Sequence, residues 1–252
     1  MTDQLKGKVA LVTGAARDVG AKIAVALAAA GAAVAVNYSS SEADAAKVVA
    51  QIEKAGGKAK AYRADVGDSA AVKAMVDQVV ADLGGIDIVV NNAGVAQRAR
   101  FLETTAEQWR RHLDVGLMGT VNTAQAAVPH MIKAGKGGRI VSLGGDSSRV
   151  GEANLSMAAA SRAATIALIK SLAKEFGRND ITCNAVMLGM IQSAHSDPAW
   201  LEENLPKIVK NYPLKRIGQP DDVAPLVALL AGEGGAWITG QTISINGGFA
   251  MV

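Results

Sequence analysis

The chain is predicted to fold as an α/β domain: one doubly wound parallel sheet with helices on both faces, spanning residues 1–252. Three observations predict it. Short apolar runs alternate with helical patterns from end to end. The first run leads through a glycine-bearing turn into a helix. Half of the 252 residues are hydrophobic while only 4% are aromatic and 27 are glycine, so small aliphatic side chains must pack closely between helix and sheet.

The elements follow in order. Residues 8–13, KVALVT, read as a buried strand, and 19–30 switch to a helical Ala/Leu/Ile pattern that Gly31 ends. A strand at 33–37 precedes a helix over 41–55, capped by Ser41 and closed by Gly56 and Gly57. Strands at 59–63 and 86–91 flank a helix over 69–83, whose Val72, Met75, Val76, Val79 and Val80 share one face. Two long helices, 106–134 and 153–176, bracket a strand at 139–143, and another strand lies at 182–186. A polar, proline-punctuated segment, 191–220, carries Trp200, Leu201, Leu205 and Ile208 at helical spacing and reads as a lid over a substrate pocket. A helix at 222–231 and a strand at 241–245 complete the chain. Right-handed crossovers place ligand sites beyond the carboxyl ends of the strands.

Composition narrows the function. With 26 Lys plus Arg against 23 Asp plus Glu, the net charge of +3 is small and unclustered, which argues against nucleic acid as a partner. The lone cysteine, Cys183, rules out an intramolecular disulfide framework and suits a reducing compartment. Apolar runs fall short of the ~18 residues of a membrane span, so the expectation is a cytoplasmic protein with no membrane partner. No His/Cys/Asp spacing suggests a metal.

The turn Thr13-Gly14-Ala15-Ala16-Arg17-Asp18-Val19-Gly20 has the context of a dinucleotide loop: Gly14 permits the turn, Gly20 allows helix and sheet to approach, and free N–H groups at the helix start favour a pyrophosphate. Asp18 stands where a further glycine is expected, and its charge opposes a phosphate there. The alternative is a plain strand-to-helix turn in which Asp18 caps Gly20 or Ala21. The second strand ends in Asn37, Tyr38 and Ser39, without the acidic residue that accepts the ribose hydroxyls of NAD. Arg17 with Ser39 or Ser40 makes a phosphorylated ribose, hence NADP, the better fit. Asp65, with Val66 beside it, is placed to accept from an adenine amine. Asn91-Asn92-Ala93-Gly94 leaves room beside a ribose.

These motifs, with Ile238-Thr239-Gly240-Gln241 and Asn246-Gly247-Gly248, resemble the short-chain dehydrogenase/reductase family over residues 6–252, most closely its 3-oxoacyl-carrier-protein reductase branch. The resemblance implies a seven-stranded sheet of order 3-2-1-4-5-6-7. It also implies tetramers built through the two long helices and the last strand, and cofactor contacts extending to Arg162, Gly189 and Ile191. It further implies a catalytic Asn, Ser, Tyr and Lys, whose positions here hold Gly116, Gly145, Ala158 and Arg162. Leu188 stands where the family has a proline. Hydride transfer to a carbonyl leaves negative charge on oxygen, and loss of one group that stabilises it costs on the order of 10²–10³ in rate.

The sequence-based expectation is therefore a family homologue without ordinary carbonyl reduction. It would be a non-redox binding or structural subunit, a pseudoenzyme with NADP binding weakened or lost. As a homo-tetramer, or a hetero-oligomer with an active homologue, it could still hold a small-molecule ligand. The competing expectation is a divergent NADP-dependent oxidoreductase, similar to 3-oxoacyl-thioester reductases, or a non-redox enzyme in a repurposed pocket. Asp146, Ser147 and His195 are the candidate replacement groups, with Asp146 or His195 as base and Arg162 as anion stabiliser.

Overall fold

Seven strands pair in parallel in the order β3-β2-β1-β4-β5-β6-β7. A computed structural model describes residues 4–252 except 96, 195 and 197. The strands are β1 (Val9–Val12), β2 (Ala33–Tyr38), β3 (Lys58–Arg63), β4 (Ile88–Asn91), β5 (Gly138–Gly145), β6 (Ile181–Leu188) and β7 (Thr242–Ile245). β1, β4 and β6 are buried over nearly their whole length, as expected for a parallel sheet covered on both faces.

The helices are α1 (Asp18–Ala29), α2 (Glu42–Lys54), α3 (Ser69–Leu83), α4 (Ala106–Leu113), α5 (Gly119–Ala134), α6 (Ser147–Val150), α7 (Ser156–Phe176), α8 (Pro198–Ile208) and α9 (Pro220–Ala231). Two apolar cores lie on opposite faces of the sheet. One packs α1, α2 and α9 around Val12, Ile23, Leu27, Val34 and Val227. The other packs α3, α5 and α7 around Leu11, Val76, Val89, Met131 and Ile169.

Two predicted helices are interrupted. The span 106–134 is α4 and α5 joined by a π-helical turn, Asp114–Met118. There the Gly116 carbonyl accepts the Thr165 hydroxyl at 3.0 Å, and a side chain inserted into the ladder is a recognised cause of such a break. The span 153–176 begins only at Ser156, because Asn154 takes a left-handed φ of 67° that ends any helix before it. The segment 191–220 contains the four-residue-spaced helix α8, followed by a short 3₁₀ turn. Among the described residues, no helix is long and apolar enough to cross a membrane.

Candidate active site

The carboxyl edge of the sheet carries two cavities. The first, about 590 Å³, lies over the β1–α1 turn. Gly14 takes a φ of 60°, and a Cβ there would stand 3.0 Å from Ala93 Cα, so only glycine suits the position. A Cβ on Gly20 would strike the Gly14 carbonyl and lie 2.5 Å from Asn92 Nδ2. Asn92 donates to the carbonyls of Thr13 and Gly14, both at 3.0 Å. The Thr13 hydroxyl accepts from the amides of Asn92 and Ala93. The turn after β4 thereby locks the glycine loop in place.

Gly14, Arg17, Asp18, Val19, Gly20, Asn37, Ser39, Asp65, Val66, Asn92, Ala93 and Gly94 all line this cavity. Their parts differ. Asn37 is buried: its Oδ1 accepts the Gly14 amide at 3.1 Å while its Nδ2 donates to Ala64 O at 3.1 Å, so its amide shapes the loop. Asp65 accepts from Gly67 N at 3.0 Å and from Arg111 Nη1 at 2.8 Å. Burial is the largest single influence on that carboxyl and pushes its pKa up, but the Gly67 amide and Arg111 together hold it below the usual range. Asp18 has a left-handed φ of 50°. It is the first residue of α1 rather than its N-cap, and its Oδ1 accepts the Ala194 amide at 2.7 Å.

The second cavity, about 500 Å³, adjoins the first at Val95, which lines both. Gly145, Ala158, Arg162, Gly189 and Ile191 line it, as do Asp146 and Ser147. Gly116 lies behind it, where an added Cβ would be 2.8 Å from Ser161 Oγ and 3.8 Å from Arg162 Nε. Arg162 runs past Gly144 and Gly94, where a Cβ would collide with Nη2. Nη1 donates to Leu143 O, and Nη2 donates to Ala93 O at 3.3 Å. Burial lowers the guanidinium pKa to about 10.

Asp146 is no candidate base in this geometry. Its Oδ1 accepts the Ser244 hydroxyl at 2.6 Å and its Oδ2 accepts Asn246 Nδ2 at 2.5 Å, which ties β5 to the chain after β7. Ser147 is buried yet reaches the cavity, and its Oγ would be 3.4 Å from a Cβ on Gly145. His195 lies outside the described residues. Among the described residues, no three His, Cys, Asp or Glu side chains gather as a metal site.

Several wall residues had no signal in the sequence. Tyr212 stacks on Phe249 at 5.2 Å between ring centroids, and its oxygen accepts the Met190 amide at 2.8 Å. Burial raises the Tyr212 pKa, with Glu152 and Asp146 adding to it against the Met190 bond and Arg98. Arg98 pairs with Glu152 at 2.5 Å across 54 positions of chain. No short-range spacing encodes such a contact.

The fold and this pair of cavities define a dinucleotide-type α/β domain with a second cavity adjoining the glycine turn. The chain belongs to the short-chain dehydrogenase/reductase family: a family model described as enoyl-(acyl carrier protein) reductase matches residues 14–250. The 3-oxoacyl-(acyl-carrier-protein) reductase FabG of Staphylococcus aureus is 39% identical over 97% of this chain and 98% of its own. A short-chain dehydrogenase from Burkholderia cenocepacia, solved in complex with NADP, is 39% identical with a TM-score of 0.90, covering 98% of this chain and 99% of its own. A blue fluorescent protein from a metagenomic library, in complex with NADPH, is 36% identical with a TM-score of 0.91, covering 98% and 100%.

These likenesses correct the leading sequence-based expectation. Relatives matching nearly end to end are a reductase and complexes with NADP or NADPH. They overturn the reading as a non-redox subunit or pseudoenzyme with weak or absent activity, and favour the competing oxidoreductase. The expected weakening of NADP binding is corrected too. It rested on Asp18 opposing a phosphate, whereas the Asp18 carboxylate engages the Ala194 amide.

Proposed function

We propose that this chain is an NADP(H)-dependent oxidoreductase acting on the carbonyl of a 3-oxoacyl thioester or a similar acyl ketone. The observation that carries the reading is the junction of the two cavities at Val95, with Arg162 and Gly94 in contact beside it. The residues present fit a dinucleotide. Glycine is required at 14 and 20 for close approach, and the N-cap residue Arg17 makes no side-chain cap bond at the start of the 12-residue helix α1, where backbone amides favour a pyrophosphate. Arg17, Ser39 and Ser40 would hold a 2′-phosphate, and Asp65 with Val66 would meet the adenine.

Bound NADPH would supply the hydride. The protein's part is to shape and dry the site: Gly189 cannot carry a side chain, since a Cβ would be 2.9 Å from Asn246 Cα, and residues 191–220 serve as the lid. Exposed Phe101, Leu102 and Trp237 fit assembly as a homo-oligomer. Cys183 fits a reducing cytoplasm.

The test is titration of purified protein with NADPH and NADH, followed by NADPH oxidation with 3-oxobutanoyl-coenzyme A. Tighter binding of NADPH with turnover supports the reading, and NADPH binding without turnover on any acyl ketone counts against it.

A further inference from the structure

The substrate cavity holds a cation that, among the described residues, no carboxylate pairs with. Arg162 uses two of its five N–H donors on the carbonyls of Leu143 and Ala93. Burial alone accounts for its altered acidity, with no charged neighbour contributing. The two carboxylates in the same wall are committed elsewhere: Asp146 to Ser244 and Asn246, and Glu152 to Arg98. A desolvated charge without a counter-ion is unfavourable, and pairing it is strongly favourable. Two glycines make the space that admits it. A side chain at Gly94 would overlap the guanidinium, and a Cβ at Gly144 would lie 3.6 Å from Arg162 Cβ.

A second donor lines the same cavity. Gly145 has room for a side chain, its nearest neighbour being Ser147 Oγ at 3.4 Å from the Cβ position. The Ser147 hydroxyl therefore occupies the space that a hydroxyl borne at 145 would otherwise reach. Both Ser147 and Arg162 line the 500 Å³ cavity at the end of β5.

We propose that Arg162 and Ser147 form an oxyanion-binding site, in which a substrate oxygen carrying negative charge, as carboxylate, enolate or alkoxide, accepts from the guanidinium and from the serine hydroxyl. Arg162 keeps its protons and acts through charge. In the reaction proposed above, the pair stabilises the charge that develops on the carbonyl oxygen, so that application rests on that reading. Binding itself does not need the dinucleotide.

The test compares butanoate with butanamide, probes of similar size and opposite charge state, at constant ionic strength and without dinucleotide. Binding is followed by tryptophan fluorescence, since Trp200 lies in the cavity wall. The wild-type protein should prefer butanoate by about tenfold or more. Arg162→Gln should abolish the preference, Arg162→Lys should keep part of it with the fold intact, and Ser147→Ala should reduce butanoate affinity about threefold. Lys207→Gln and Tyr212→Phe, which alter two other wall residues, should leave the preference in place. Equal binding of the two probes, a preference that survives Arg162→Gln, or one that disappears in Lys207→Gln or Tyr212→Phe, overturns the proposal. A protein that prefers butanoate through Arg162 yet binds no NADPH refutes the oxidoreductase reading alone. One that binds NADPH with no charge preference refutes the oxyanion site alone.

Discussion

The Ser161 hydroxyl stands 2.8 Å from the point that a Cβ on Gly116 would occupy, so these two residues share the space of one side chain. Ser161 Oγ donates to Ala158 O at 3.1 Å, and its Cβ, which cannot rotate away, would be 3.2 Å from the added atom. Replacing a helical glycine by alanine ordinarily gains roughly 0.5–1 kcal/mol, whereas overpacking a tight interior costs about 1–3 kcal/mol. Crowding wins at this site. Gly116→Ala is expected to lower stability by about 1 kcal/mol, and Ser161→Ala in the same chain should recover part of it. Urea denaturation of the four proteins of the cycle measures that coupling, and additive effects would contradict the shared-space account.

Asp18 is expected to hold the segment after β6 through the Ala194 amide, 2.7 Å from its Oδ1. Glycine would adopt the local φ of 50° freely, but it would delete a bond worth about 1 kcal/mol. Global stability of Asp18→Gly should thus change little, while amide exchange at Ala194 should accelerate about fivefold. Asp18→Asn keeps both an acceptor and a tolerance for left-handed backbone and should exchange like the wild type. Unchanged exchange in the glycine variant would contradict the tether.

Arg216 binds Asp222 through two bonds of 2.6 and 2.8 Å, fastening the end of the segment 191–220 to the start of α9. The Arg216 side-chain bond, then the Gln219 amide, lower the Asp222 pKa from 3.8 to about 2. The sign follows from linkage: a carboxyl depressed in the folded state adds stability that is complete above 3.8 and is lost as pH falls through about 2. The pair is largely exposed to solvent, which screens it and keeps its contribution small. Asp222→Asn should therefore be less stable than the wild type at neutral pH, with the difference shrinking as pH falls below 3.8 and gone only below about 2. A difference independent of pH in chemical denaturation would contradict this assignment.

Cys183 is fully buried in β6, and burial pushes its thiol up to about 12. The thiolate is the reactive form, so the native protein should resist iodoacetamide at neutral pH and react only once unfolded in guanidinium. Rapid native labelling would contradict the placement of this residue in the core.

The sheet was legible in the sequence because alternation of apolar strands and helices is local. The helix breaks were not: Gly116 reads as an ordinary helical glycine until Thr165, 49 positions away, takes its carbonyl. The glycine turn under the first cavity was equally legible, since Gly14, Gly20 and Asn92 lie in short motifs whose spacing carries the geometry. Asp18 was misread because its partner, Ala194, is 176 positions distant. Asp146 looked like a free carboxylate for the same reason, its partners Ser244 and Asn246 lying across the sheet edge. Ser147 and Arg162 were legible as candidates from their places after β5 and in α7, whereas the sequence carried no sign of Tyr212 in the same cavity or of the burial of the Arg162 guanidinium.

The measurement that tests the central claim most directly is steady-state consumption of NADPH by the purified chain with 3-oxobutanoyl-coenzyme A, alongside Arg162→Gln. The account predicts sustained turnover by the wild type, with 3-hydroxyacyl product formed in equal amount and a rate about 10²–10³ times lower in the variant. Bound NADPH that is never oxidised, or a variant that turns over at the wild-type rate, would contradict it.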